Sequence, residues 1–201
     1  MKKWIGNLLI LSSVVVFIWL WSGSIETQQE QDQMIEAFAA VKATGEIGEV
    51  KAMPPNRGTV QEEVKSAITS NVEGVLSIPS IELKAPVLAG ANPENLNQAL
   101  GSISGMDKPG VVNGSYAIAG HRSHIFGEFF NRLNELQIGE RLTFETMEES
   151  IKFEVFDRKI VEPHEVESLN RKKGIALLSL VTCYPENSNK YRLIVYAKRI
   201  D

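Results

Sequence analysis

No charged residue falls between Trp4 and Trp21, in the run WIGNLLILSSVVVFIWLW. At ~1.5 Å per residue this run makes about 27 Å of helix, close to the ~30 Å hydrocarbon core of a bilayer. The pattern predicts a membrane-spanning helix. Lys2 and Lys3 precede it, and Ser22, Gly23, Ser24 and Glu26 follow. The positive flank therefore puts the N-terminus in the cytoplasm and everything after Ser22 outside. Trp4, Trp19 and Trp21 stand where interfacial aromatics are expected. A cleaved signal peptide is the rival reading. It has a shorter apolar region, about 7–15 residues, and an A-x-A-like exit that Ser22-Gly23-Ser24 imitates poorly. The expectation is an uncleaved anchor over 1–24.

The next stretch, 25–70, alternates between polar and broken patterns. Met34, Ile35, Phe38 and Val41 recur at helical spacing in an otherwise polar run, which predicts a short amphipathic helix. Gly45, Gly48, Pro54, Pro55 and Gly58 then interrupt all periodicity. Thr59 and Glu62 form a capping box for a helix over about 60–68. The stretch has too few apolar residues for a core of its own. It reads as an extracellular linker with short helices, the alternative being a segment that packs on or covers a site.

From about residue 71 to 201 the period changes to that of strands, with short β-branched and apolar runs separated by turn residues. Strands are predicted near Val75–Ile78, Ile81–Leu88, Ser115–Ala119, Arg141–Thr146, Ile151–Val161, Ala176–Thr182 and Arg192–Lys198. Asn92-Pro93 opens a helix of about 93–100. Phe126, Phe129, Phe130 and Leu133 suggest a second short helix. So many strands joined by short turns predict a mainly β domain, a closed barrel or sandwich. No GxGxxG, Walker loop, EF-hand signature or internal repeat is present.

Composition narrows the function. Lys+Arg total 21 against 25 Asp+Glu, a net charge of −4. A weakly acidic chain lacks the broad positive field of a non-specific nucleic-acid binder. A single cysteine, Cys183, excludes an intramolecular disulfide and every zinc site that needs two thiolates.

Cys183 ends the run Leu177–Cys183 and is followed by Tyr184-Pro185, a turn signal. Buried free cysteines usually act as small hydrophobes. Outside the cell, however, an unpaired thiol at a strand end is a candidate nucleophile. A free thiol has a pKa of about 8.5, so a nucleophilic one needs a cation or base beside it. His121, after the strand Tyr116–Ala119 and Gly120, is the candidate base. His124 and His164 lie among polar residues and read as surface histidines. A metal site built from His121, His124 and Cys183 would lack the usual ligand pattern. If the strands ending at Cys183 and beginning near Tyr191 pair as a hairpin, Arg192 faces Cys183. There its planar fork of donors could hold a substrate carbonyl or oxyanion. An ordinary exposed strand arginine is the other reading.

Three segments carry a resemblance: Ala119-Gly120-His121-Arg122, Leu180-Val181-Thr182-Cys183 and Arg192-Leu193-Ile194-Val195. In order and spacing they resemble the signature of the sortases, transpeptidases on the surface of Gram-positive bacteria. Leu76–Ile81, Ala85-Pro86-Val87 and Asn113–Ile118 extend the likeness across about 73–201. The resemblance implies a closed barrel of about eight mostly antiparallel strands. It implies that Cys183 attacks the carbonyl after Thr in a Leu-Pro-x-Thr-(Ala/Gly)-type motif and holds the chain as a thioester. His121 would serve as acid and base, Arg192 as oxyanion or backbone anchor, and Thr182 would contact substrate or order the site.

The partners implied are surface proteins with a C-terminal sorting motif, a peptidoglycan precursor amine and the membrane. No cofactor or metal is implied, and no nucleic acid. Cys183-Tyr184-Pro185, the short 184–191 loop and the lack of a C-terminal anchor resemble class D. A housekeeping, class A-like enzyme and a hydrolytic cysteine protease using the same residues are the alternatives. So is a tethered, non-catalytic binding module. Glu148-Glu149 and Glu162, Glu165 and Glu167 are candidate calcium ligands, with a solvated acidic face as the simpler reading.

Overall fold

The computed structural model describes residues 28–43, 71–122, 129–186 and 188–201. The expected anchor over 1–24 and the helix over 60–68 lie outside the described residues. Among the described residues no helix is long and apolar enough to cross a membrane.

Eight strands close into a barrel: β1 (Val72–Ile78), β2 (Leu83–Leu88), β3 (Leu100–Ser102), β4 (Ser115–Ala119), β5 (Arg141–Glu145), β6 (Ser150–Val161), β7 (Leu177–Tyr184) and β8 (Tyr191–Arg199). Their order around the barrel is β1-β2-β3-β4-β7-β8-β6-β5, and β5 pairs back onto β1. Two neighbouring pairs are parallel, β2 with β3 and β4 with β7; the others are antiparallel. Alternate residues of each strand face inward. Leu76, Ile78, Ile118, Phe144, Phe153, Leu178, Leu180 and Val195 meet in one apolar core. Closure pairs the first strand of the sheet with the last, β5 on β1.

The mainly β barrel agrees with the sequence pattern, with local differences. The strand expected from Ile81 starts at Leu83, because Pro79 opens a 3-10 turn through Ile81 and Glu82 adopts a left-handed conformation (φ 55°). The helix expected over 93–100 is shorter. Asn92 caps it by accepting from Asn95 N–H at 2.9 Å, but its last two expected residues extend, and Leu100 enters β3. The phenylalanine-rich helix is, in its described part, a turn followed by one 3-10 turn, Leu133–Glu135. Phe130, Leu133 and Leu136 there plug the barrel, each fully buried.

Residues 28–43 form an amphipathic helix, α1, as the spacing of Met34 and Phe38 predicts. In this part of 25–70 the chain is packed against the barrel. Met34 and Phe38 bury against Val72, Val75, Leu88 and Ala99. Lys42 Nζ donates to Glu145 Oε1 (3.0 Å) and Thr146 O (2.7 Å), and Gln31 Nε2 to Gln98 O (2.9 Å). Burying Phe38 alone is worth about 1.5–3 kcal/mol, enough to hold a helix whose polar face adds little.

Candidate active site

The parallel β4–β7 pairing runs in constant register from Ser115↔Leu177 to Ala119↔Val181. Past the strand, Gly120 N–H donates to Val181 O (3.1 Å) and Thr182 Oγ1 donates to Gly120 O (2.8 Å). The same register, carried two residues past its last pair, aligns His121 with Cys183. On the other side of β7, the antiparallel β8 pairs Arg192 directly with Cys183. The sequence-predicted trio therefore occupies three adjacent strand ends, in the order β4, β7, β8.

Their side chains share one face. Leu178 and Leu180 of β7, and Leu193 and Val195 of β8, belong to the barrel core. Residues of the opposite parity, Leu177, Val181, Ile194 and Tyr196, face outward. Cys183 and Arg192 follow that outward parity, and His121 follows Ala117 and Ala119 on the outward side of β4. The connection from β6 to β7 covers the outer face. Leu169 and Ile175 pack on Leu177 and Tyr196, and Tyr196 Oη donates to Ser168 O (2.9 Å). This cover reaches Val181, which is partly buried. Cys183, the next outward position, is half-buried and reachable, and His121 is exposed.

Each residue has a local reason for its place. A Cβ on Gly120 would lie 2.6 Å from Leu100 Cδ2 and 2.7 Å from Phe130 Cδ2, so only glycine lets the chain turn out over the Phe130 ring. The returning chain is then tied down by Phe130 N–H on His121 O (3.0 Å), and Phe129 meets the imidazole edge-on at 6.5 Å. Arg192 is braced by its own turn, Nη1 donating to Asn189 O and Tyr191 O (3.1 Å each). Its Nε and Nη2 have no partner among the described residues. Arg132, Arg141, Arg171 and Arg199 each pair with a carboxylate, whereas Arg192 pairs with none of those described. A guanidinium with free donors at this strand end can hold a developing oxyanion.

Thr182 is 3% exposed and its hydroxyl is used on Gly120 O. Of the two roles expected for it, this bond bears on ordering the site, since it ties β7 to the chain that carries His121. His124 lies outside the described residues. His164 is exposed and 3.6 Å from Glu162 Oε2, in the cover rather than beside Cys183. Glu165 faces Lys159 and Glu149 faces Arg199, so these acidic candidates already have cationic partners. An open depression of about 580 Å³, lined by Glu73, Ser102, Asp107 and Tyr116, touches none of the trio.

The Sortase domain family matches residues 76–200. The chain belongs to the sortase family. Over its whole length it is 27% identical to Sortase D of Bacillus subtilis (strain 168), covering all of that protein. It is 28% identical to Sortase A of Bacillus anthracis over 62% of this chain and 58% of that one. The crystal structure of sortase C-1 from Actinomyces oris aligns with a TM-score of 0.62 and 25% identity, over 84% of this chain and 99% of that one. This sortase is thus a cysteine transpeptidase of the cell-wall sorting kind. The span that matches the family carries His121, Cys183 and Arg192.

Sequence reasoning missed two neighbours of the trio. Arg122 and Tyr184 lie one step beyond, on the inward side, with Arg122 Cζ 5.5 Å from the Tyr184 ring centroid. The signal was available as parity: Gly120 and Arg122, like Thr182 and Tyr184, are two apart.

Proposed function

We propose that this sortase is a membrane-anchored, class D-like transpeptidase that cleaves a Leu-Pro-x-Thr-(Ala/Gly)-type motif after Thr. The thiolate of Cys183 attacks the Thr carbonyl carbon. Arg192 donates to the oxyanion that forms. The C–N bond breaks as His121 passes a proton to the leaving amine, and a thioester remains on Cys183. His121 then takes a proton from an incoming cell-wall precursor amine, which attacks the thioester and releases the thiolate. The thioester conserves the energy of the peptide bond, so no nucleotide is consumed. Water competes as acceptor, and the cover over β7 and β8 limits its approach to one side.

The observation that carries this reading is one register: three adjacent strand ends bring base, thiol and guanidinium to one face. The class D assignment is supported by the full-length likeness to Sortase D of Bacillus subtilis (strain 168) and by the Cys183-Tyr184-Pro185 run. The uncharged stretch 4–21 with Lys2 and Lys3 before it supports a single span, the N-terminus cytoplasmic and the catalytic domain outside.

The test is a peptide panel varying the residue after Thr, Gly against Ala, scored by mass spectrometry for acyl capture on Cys183. Turnover is then followed with and without an added amine. The expected result is capture from the Ala peptide and an amine-dependent transfer product. Hydrolysis product alone at saturating amine would make the enzyme a protease, and preferred capture from the Gly peptide would make it class A-like.

A further inference from the structure

The last backbone hydrogen bond between β4 and β7, among the described residues, is Gly120 N–H to Val181 O. Beyond it, where His121 and Cys183 lie, no ladder holds the two chains at a set distance. Two side-chain links on the inward side take over. Thr182 Oγ1 closes on Gly120 O, and one step further the Arg122 guanidinium lies over the Tyr184 ring. Arg122 and Tyr184 are the next pair in the same register as Ala119↔Val181.

The guanidinium is unusual in its surroundings. Nη2 donates to Asn134 Oδ1 (3.0 Å). Nε and Nη1 are buried without an acceptor, the only such side-chain atoms among the described residues apart from Ser179 Oγ. No described carboxylate pairs with it. Buried guanidinium donors without an acceptor are costly unless another group compensates, and the ring face of Tyr184 is the group at hand. Tyr184 itself packs against the barrel core, so it is a fixed platform. Arg122 thereby joins three segments: the chain end that carries His121, the turn at Asn134 and the residue after Cys183.

Resting on the reading of Cys183 and His121 as the reacting pair, we propose that Arg122 is a positioning residue. Its stack on Tyr184 clamps the two chain ends from beneath and sets the separation of imidazole and thiol on the outer face. It touches no reacting atom, so its loss should slow turnover without weakening peptide binding. Misplacing a reacting group by about 1 Å costs on the order of 100-fold in rate.

The experiment is steady-state transpeptidation by the full chain, with melting curves for each variant. Arg122→Ala and Tyr184→Leu are each expected to lower kcat about 10- to 100-fold, with KM within about 2-fold. The double variant should be no slower than the worse single one, because both break one contact. Tyr184→Phe keeps the ring and should stay within about 2-fold of the parent. If Arg122→Ala melts below the assay temperature, Arg122→Lys keeps a cation over the ring without the Asn134-anchored plane, and a roughly 3- to 10-fold loss in kcat is expected.

Unchanged kcat in Arg122→Ala or Arg122→Lys, a loss confined to KM, or losses that multiply in the double variant would each overturn the clamp. Cys183→Ala separates the two proposals. Turnover surviving in Cys183→Ala sinks the reacting pair and the clamp together. Turnover abolished in Cys183→Ala but indifferent to Arg122 sinks the clamp alone.

Discussion

The two ends of the β4–β7 pair share one register and are built for opposite purposes. At the start of β4, Ser115, Asp107 and Arg171 are joined in a hydrogen-bonded cluster. Ser115 N–H donates to Asp107 Oδ2 (2.9 Å), Ser115 Oγ to Leu169 O (2.7 Å) and Leu177 N–H to Gly114 O (3.1 Å). Arg171 grips Asp107 with two donors, at 2.7 and 2.6 Å. At the far end, neither the His121 ring nor the Cys183 thiol makes a side-chain hydrogen bond with any described residue, and Arg192 keeps donors free. Hydrogen bonding at one end fixes the register. That register then holds unsaturated groups together at the other, where a substrate can supply their partners.

Substitutions at the open end should therefore cost activity, and those at the closed end stability. Cys183→Ala heads the series: acyl transfer should fall about 1,000-fold or more with the melting temperature unchanged, and His121→Ala should follow it. His164→Ala, in the cover, should leave the rate within about 2-fold; a severe loss there would move the base. Arg192→Lys comes next, at about 100-fold in kcat/KM, since an ammonium cannot reproduce the planar fork. Near-normal rates would make Arg192 a structural residue.

Thr182→Val sits between the two classes. Losing its buried hydrogen bond should cost about 1 kcal/mol in denaturant unfolding and roughly 10-fold in kcat. A stability loss without any rate effect would separate Thr182 from the site.

Asp107→Asn belongs to the closed end and has the smallest effect on rate, within about 2-fold. Hydrogen bonds from Arg171 and from Ser115 N–H hold the Asp107 carboxyl below the ordinary carboxylate range. A carboxyl lowered in the folded state stabilises it at neutral pH, and that contribution is lost as pH falls through the lowered value. The urea midpoint of Asp107→Asn should thus lie below the parent's at pH 7, and the gap should close as pH falls below about 4. A gap that persists in acid would mean the ion pair does not set this end.

Much of the barrel was legible because strands alternate with period two and turns carry their own residue types. Seven of the expected runs correspond to β1, β2 and β4 through β8. The eighth, β3, spans three residues, Leu100–Ser102, two of them small, and is too short to show a period. The trio was legible because one cysteine, few histidines and a plausible hairpin left few combinations. Arg122 and Tyr184 were not, since an arginine following a histidine and a tyrosine in a turn signal look local. They become partners through a pairing of distant strands. The stripe of Met34 and Phe38 predicts a helix but not its destination, because an apolar stripe says that a helix docks and not on what.

By itself, the sequence determined the element types, the uncharged N-terminal run and the residues with chemistry to offer. These depend on periodicity and side-chain type, which are local. Tertiary structure alone decided that β4 lies parallel beside β7, that Thr182 turns inward to Gly120, and that α1 rests on the barrel wall. Those outcomes follow from barrel closure, which pairs strands far apart in the chain and assigns each residue a face by parity once the register is set.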